Sequence, residues 1–389
     1  MKKINWFLIL LITPILLSSQ NDEIYVEGLV LDNTDYGIPY AAIGIVSKYI
    51  GSSTNEDGAF FFTVSKSNLV DTLEVSSIGY KTFKINVQDY INQKEKKIVL
   101  IEDIVSLSEV NILASKDYLK LALKNFKKNT VSKTHQLNLL YRRFSSENNT
   151  SRFLVEHYIK ILDMDPLAPE FYEIEVDEVR KSADYRFIKK KQKFHAVNLL
   201  SKEHPIRKGL YKGDYDWKKI GDTSYDGEDI VIIEGKKKDQ NSRYKFIKFY
   251  IGIETYSIYK IETSMKKAVY IYKKNNDGKL YLSYHNRSSK SKEPLTPYMQ
   301  KLLKVKTNSM TATWIHEVIV LGIETNRKKI DVDDNMLKGV DMGDYDIPYK
   351  QDFWSKLNLP PASKFYNKYT EELESVYGVP LNKQFGVAN

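Results

Sequence analysis

Six histidines and no cysteine bound the chemistry open to this chain. A zinc peptidase presents two ligands as His-x-x-Glu, because the metal wants a fixed set of nitrogen and oxygen donors. None of the six histidines has Glu three residues on. His316-Glu317 comes nearest, but residue 320 is Val, so the helical His-Glu-x-x-His pattern fails too. In an alternating strand those two side chains point to opposite sides. His157, His195, His204 and His285 are scattered, so the histidines read as surface or satisfied core groups. Gly-x-Ser-x-Gly, Walker A and Gly-x-Gly-x-x-Gly are all absent, which removes the usual nucleophile elbow and phosphate cradles. Without cysteine there is no disulfide, thiolate metal site, iron–sulfur cluster, cysteine nucleophile or lipid-modified N-terminal Cys. No catalytic residue, metal ligand or cofactor is expected.

Weaker patterns remain. Asp331-Val332-Asp333-Asp334-Asn335 opens like a calcium loop, but its sixth position is not Gly and its twelfth is Met342 instead of Glu. Asp214-Tyr215-Asp216-Trp217 and Asp344-Tyr345-Asp346 set carboxylates beside aromatic rings, as glycan clefts do, and as Tyr-rich loops also do. Two basic runs, Lys189-Lys190-Lys191 with Lys193 and Lys236-Lys237-Lys238, are the candidate contacts for an anionic partner. Their bland reading is a solvated loop.

The elements that hold these residues begin with an address. Lys2 and Lys3 precede an apolar run from Ile4 to Leu17, and Ser18-Ser19-Gln20 follows. This has the order of a secretory signal peptide over residues 1–20, too short and too interrupted by Pro14 for a retained span. No transmembrane helix is expected after its removal. With a net charge of +9, a cytoplasmic protein would invite a nucleic-acid reading. Export excludes that and leaves anionic lipid or acidic glycan as available partners.

Residues 24–114 alternate with period two. Tyr25, Glu27, Leu29 and Leu31 oppose Val26, Gly28, Val30 and Asp32, and Phe60, Phe62 and Val64 alternate after the turn at Asp57-Gly58. Phe83, Ile85 and Val87 carry the chain onward to a last strand from Lys97 to Glu102. Six or seven short strands predict a β-sandwich. The segments Val26-Glu27-Gly28-Leu29-Val30-Leu31-Asp32, Ile38-Pro39-Tyr40-Ala41, Thr54-Asn55-Glu56-Asp57-Gly58-Ala59-Phe60, Ile78-Gly79-Tyr80 and Leu107-Ser108-Glu109-Val110-Asn111-Ile112 occur in the order and spacing of the carboxypeptidase regulatory-like domain, which this stretch resembles. The resemblance implies a transthyretin-like sandwich that acts as a folding and docking appendage in the Gram-negative envelope. Such domains sit beside metallocarboxypeptidase domains or before outer-membrane receptors and carry no catalytic residues, so Gly28, Gly58 and Gly79 read as turn and packing positions.

Residues 115–134 repeat Leu119, Ala122, Leu123 and Phe126 at helical spacing, opposite a lysine face, with Ser115 or Asp117 as caps. Residues 135–350 return to longer strands, with hairpins pivoting near Gly252 and at Asn275-Asn276-Asp277-Gly278. Sequential strands without crossover helices mean an antiparallel sheet, which must curl or be covered. Residues 351–389 form a helical tail: Ser363 caps, Phe365, Tyr369, Leu373 and Tyr377 step by four, and Gly378 with Pro380 stops it. The rhythm of Lys248-Phe249-Tyr250-Ile251-Gly252-Ile253-Glu254-Thr255-Tyr256-Ser257-Ile258, with Phe353-Trp354 and Leu381-Asn382-Lys383-Gln384-Phe385, is similar to curved-sheet lipoprotein-carrier and sensor folds of the envelope. The similarity implies a half-barrel that cups a hydrophobic ligand, although Tyr-rich, charged strands suit lipid poorly.

The fold expected is mainly β: a transthyretin-like sandwich, then a larger α+β domain with a long curved antiparallel sheet and flanking helices. The function expected is non-enzymatic. The chain would be an exported periplasmic or outer-membrane-associated protein, docking through its sandwich and binding a ligand, an envelope protein or an outer-membrane component on its sheet. The rivals are a hydrolase acting on glycan or peptide through carboxylates of the second domain, and a structural accessory that lends a strand edge.

Overall fold

The computed structural model describes residues 23–48, 50–103, 114–189, 191–225, 227–239, 242 and 244–388. The leader reading of residues 1–20 and the exit motif Leu107–Ile112 lie outside the described residues.

Seven strands build the first unit: β1 (Glu23–Leu31), β2 (Ala42–Ile45), β3 (Ile50–Ser53), β4 (Ala59–Ser65), β5 (Thr72–Ser76), β6 (Phe83–Asn86) and β7 (Lys97–Val99). They form two sheets, ordered β4-β1-β7 and β3-β2-β5-β6. Alternation decides what goes inside: Val26 and Val30 are buried, whereas Tyr25 stays 62% exposed. Phe60, Phe62, Ile43, Ile45, Leu73 and Val75 close the core from facing strands. Gly58 has φ +80° and packs directly under Val30, a place where a side chain would be both strained and crowded. One expectation changes here. The strand through Phe83 stops at Asn86, because the Asn86 side chain accepts hydrogen bonds from Gln88 N (2.9 Å) and Asp89 N (3.3 Å) and starts helix α1 (Val87–Asn92).

Helix α2 (Ser115–Asn129) buries Leu119, Ala122 and Phe126 of the expected stripe, leaves Leu123 half-buried, and adds Tyr118. Its start is not capped by Ser115 or Asp117. Ser115 Oγ instead accepts from Lys219 N at 2.9 Å and ties the helix to the sheet.

The large sheet has ten strands: β8 (His135–Glu147), β9 (Thr150–Asp163), β10 (Glu173–Lys181), β11 (Tyr215–Tyr225), β12 (Glu228–Lys237), β13 (Phe246–Gly252), β14 (Ile258–Thr263), β15 (Val269–Lys274), β16 (Leu280–Pro294) and β17 (Ser309–Glu324). Their order is β10-β9-β8-β17-β16-β15-β14-β13-β12-β11, antiparallel throughout. It is two meanders, β8–β10 and β11–β17, joined where β17 returns to β8. Register shifts at Ser145/Ser146, Val176/Glu178, Lys219/Gly221, Tyr250/Ile251, Ile271/Tyr272 and Val320/Gly322 insert bulges that bend it.

The inner face is covered by α2 and by the segment 194–212, which includes α3 (Leu199–Lys202). The outer face is covered by the sandwich and, past α4 (Pro297–Leu303), by α5 (Gln351–Lys356), α6 (Lys364–Tyr377) and α7 (Leu381–Ala388). Ser363 caps α6 by accepting from Tyr366 N at 3.0 Å, and Gly378 ends it at φ +67°. Tyr369 pins that helix down by donating to the Ser145 carbonyl and accepting from Ser145 N. Among the described residues no helix is long and apolar enough to cross a membrane.

Candidate functional site

All six histidines are buried, and the inner face holds them. His195 Nδ1 accepts from Val197 N, which leaves Nε2–H to donate to His157 Nδ1 on β9 at 2.8 Å. His204 Nδ1 accepts from Ile206 N, so its Nε2–H faces the Tyr272 hydroxyl at 2.5 Å. His316 Nδ1 lies 3.0 Å from Tyr141 Oη. Burial lowers the pKa of all six, with His195 and His285 pushed down to about 3. They are neutral packing groups, and the His157–His195 and His204–Tyr272 contacts fasten 194–212 to the sheet. Among the described residues no three His, Cys, Asp or Glu side chains converge as a metal site would need.

The other patterns dissolve into local structure. His316 and Glu317 face opposite sides, Glu317 pairing with Arg142 at 3.3 Å on the outer face. Asp334 and Asn335 accept from Ile174 N (3.2 Å) and Val176 N (2.8 Å), shielding the edge strand β10. Asp214 and Asp216 pair with Lys238 and Lys218, and Asp344 with Lys191. The basic runs stay apart. Lys189 and Lys193 are exposed, Lys191 lies 2.7 Å from Asp344, and Lys190 lies outside the described residues. Lys236 pairs with Glu234 at 3.1 Å, Lys238 lies 3.9 Å from Asp214, and Lys237 sits 5.0 Å above the Tyr215 ring. The first run anchors near β8 through Gln192 N to Asp341, and the second ends β12, six strands along the sheet.

Three outer-face carboxylates lie near one another: Glu56, whose pKa is raised by burial and then by Glu317, and Glu156, which shares Arg142 with Glu317. Glu156, fully buried, takes Arg142 Nε and Arg180 Nε at 2.5 Å each, and Arg142 also reaches Glu317. Tyr366 lies under Arg142, and Trp354 and Phe385 flank Arg180. Burial raises the Glu156 pKa, but Arg180 and Arg142 outweigh it and hold it below the ordinary carboxylate range. A carboxylate in that state is a structural anion, unfit to give up a proton.

Open space lies elsewhere. On the inner face the cavity ringed by Phe126, His135, Leu139, Leu200 and Tyr272 is about 40 Å³, room for about a water or two. Between the sandwich and the outer face run cavities of about 160, 300 and 510 Å³. Lys273 lines all three. Ser52 and Leu321 join the first to the second, and Ala42, Ser76 and Tyr225 join the second to the third. The cleft's walls are fixed at several points. Gly79, at φ +92°, donates its N–H to the Ser224 carbonyl at 2.7 Å. The Tyr40 ring stacks on Tyr284 with centroids 3.8 Å apart. Asn55 Nδ2 donates to the Pro361 carbonyl at 3.1 Å, and Asp57 accepts from Lys364 N at the start of α6. Thus Asn55-Glu56-Asp57-Gly58 supplies both a sandwich turn and a grip on the tail. Sequence reasoning did not find this cleft. The only signal was Lys273-Lys274 just before the Asn275–Gly278 turn, which reads as an ordinary hairpin flank.

Residues 26–112 match the CarboxypepD_reg-like domain family. That carboxypeptidase regulatory-like domain supplies the wall of the cleft made by β2, β3 and β5. No curated protein sequence matches the chain. Among solved structures, a candidate outer membrane lipoprotein-sorting protein domain from Vibrio parahaemolyticus is 11% identical over 56% of this chain and 95% of its own, with a TM-score of 0.27. A LolA superfamily protein from Nitrosomonas europaea is 12% identical over 58% and 100%, with a TM-score of 0.22. The Pseudomonas aeruginosa MucA/MucB complex is 11% identical over 54% and 98%, with a TM-score of 0.19. Likenesses this slight carry no argument about what the chain does.

Proposed function

We propose that this chain is an exported, non-enzymatic envelope protein that holds a ligand or partner in the cleft between its carboxypeptidase regulatory-like domain and the ten-stranded sheet. The observation that carries this reading is the contrast between the two faces. A half-barrel that cups lipid needs an empty inner face, and here α2 and 194–212 fill it down to about 40 Å³. The outer face offers confluent space of several hundred cubic ångströms whose walls mix polar groups with apolar ones, the scale of a small-molecule site. A hydrolase needs reachable carboxylates, and Glu156 is locked under Tyr366 and Trp354 by two arginines. Export rests on the order of charge and hydropathy in residues 1–20.

The test compares tagged protein with a cleft-filling variant, Gly322→Trp, each purified from detergent-solubilised envelopes with co-purifying proteins, glycans and lipids identified. A Cβ at Gly322, which lines two of the cavities, meets only Asn138 Nδ2, at 3.9 Å, so the first atom of the new side chain crowds no backbone. A component held by the wild type and lost from a variant of equal melting temperature supports the reading. Equal recovery from both, or turnover of an oligosaccharide or peptide by the purified protein, overturns it.

A further inference from the structure

We infer that the occupant of this cleft is an anionic saccharide, its charge received by Lys273 and its rings and hydroxyls by the tyrosine and serine walls. The inference rests on the cleft being the binding site and adds the chemistry of what it takes. Lys273 is half-buried where the three cavities meet, with its ammonium 5.6 Å from the Tyr281 ring and no carboxylate within ion-pair distance among the described residues. Of the other charged groups on this face, Lys260 pairs with Glu262 at 2.6 Å and Glu74 with Lys84 at 3.1 Å, while Asp32, in the largest cavity, accepts from Thr34 and from Tyr36 N. A cation left unpaired at the centre of a cleft is a seat for an anion, because a charge-assisted hydrogen bond there outweighs a neutral one.

The walls say what else the anion carries. Tyr80 in the third cavity and Tyr281 in the second are half-buried phenols whose hydroxyls have no hydrogen-bond partner among the described residues, and Tyr250 lines the third cavity with Tyr80. Ser52 lines the first and second cavities and Ser76 the second and third, each adding a short hydroxyl. Tyrosine joins an apolar ring face to a polar tip, which matches a sugar ring with its apolar C–H face and peripheral hydroxyls. An acyl chain would leave these hydroxyls buried and unpaired, at a cost for each. The surplus of lysine and arginine over acid, +9 for the full sequence and +7 without Lys2 and Lys3 of the expected leader, favours the approach of such an anion at low salt.

The probes are oligogalacturonate, maltoheptaose as a neutral oligomer, and phosphatidylglycerol vesicles, which offer an anionic headgroup without sugar rings. Titration calorimetry on the intact chain reads binding for wild type, Lys273→Gln and Lys273→Arg. Oligogalacturonate is expected to bind the wild type at least tenfold more tightly than maltoheptaose or vesicles. Lys273→Gln loses about tenfold or more and Lys273→Arg keeps most of the affinity, because only the charge is restored. No binding of the acidic oligomer, equal binding of the neutral one, preference for vesicles, or indifference to Lys273→Gln each overturns the inference. Failure here with Gly322→Trp still abolishing envelope capture leaves the cleft standing and removes only its saccharide. Failure of both removes the cleft itself.

Discussion

Glu156 is the residue on which the outer face is most sensitive. Two arginines share it, so Glu156→Gln leaves both buried cations undercompensated, and a loss of about 3–5 kcal/mol is expected by chemical denaturation. Lys236→Gln, which breaks an exposed pair with Glu234, should stay within about 0.5 kcal/mol. The histidines set a pH dependence. Burial lowers their pKa values, so below about pH 6.5 the unfolded chain binds protons that the folded chain refuses. Stability is therefore full above that value and falls as the pH drops toward about 3, where His195 and His285 titrate in place. Arg143 and Arg287 share this face and deepen the effect, and a proton on the His157–His195 pair would face Arg143. Asp341, held at about 2 by Arg143 against its burial, adds a loss at the acid end. Urea midpoints between pH 7.5 and 4.5 check this, and a flat profile contradicts it. Sequence shows that the histidines lack a metal-ligand spacing, which is a local pattern. It could not show that all six share one interior, because that depends on 194–212 folding back across strands distant in the chain.

At the scale of elements, the amphipathic patterns were readable and the exceptions have local causes. Helix α2, helix α6 with its Ser363 cap, and the Asn275–Gly278 hairpin follow directly from spacing and turn chemistry. Helix α1 escaped because Phe83, Ile85 and Val87 continue a strand pattern that only the Asn86 cap interrupts. The covering segment 194–212 carries no long periodic stripe, so its role as filler was invisible. Its short apolar runs Ala196-Val197 and Leu199-Leu200 are buried only because the sheet bends over them. Two predictions belong here. Phe126→Ala, which empties the contact with Tyr272 beside the small inner cavity, should cost about 3–5 kcal/mol in unfolding free energy. Ser363→Ala removes the α6 cap and should cost about 1 kcal/mol in the same assay.

For the whole molecule, the question is how two β units share a boundary. Neither unit's pattern announces the other, because the contacts join residues hundreds of positions apart, such as Asn55 to Pro361 and Tyr40 to Tyr284. The family motif Asn55–Gly58 is readable as a turn, and its second use as a grip on α6 appears only in three dimensions. The basic runs drew attention because lysines adjacent in sequence are conspicuous, whereas Lys273 matters through where the cavities meet. This arrangement makes the carboxypeptidase regulatory-like domain one wall of the cleft.

Because the chain has no cysteine, a single introduced thiol reports from one place. Ser52→Cys carrying an environment-sensitive fluorophore looks into the cleft, and Lys236→Cys carries the same dye on the exposed end of β12. Titration with a detergent-solubilised envelope fraction should give a saturable spectral shift at position 52 and none at position 236. A shift confined to position 236, or silence at position 52 while the envelope component still binds, would contradict the account.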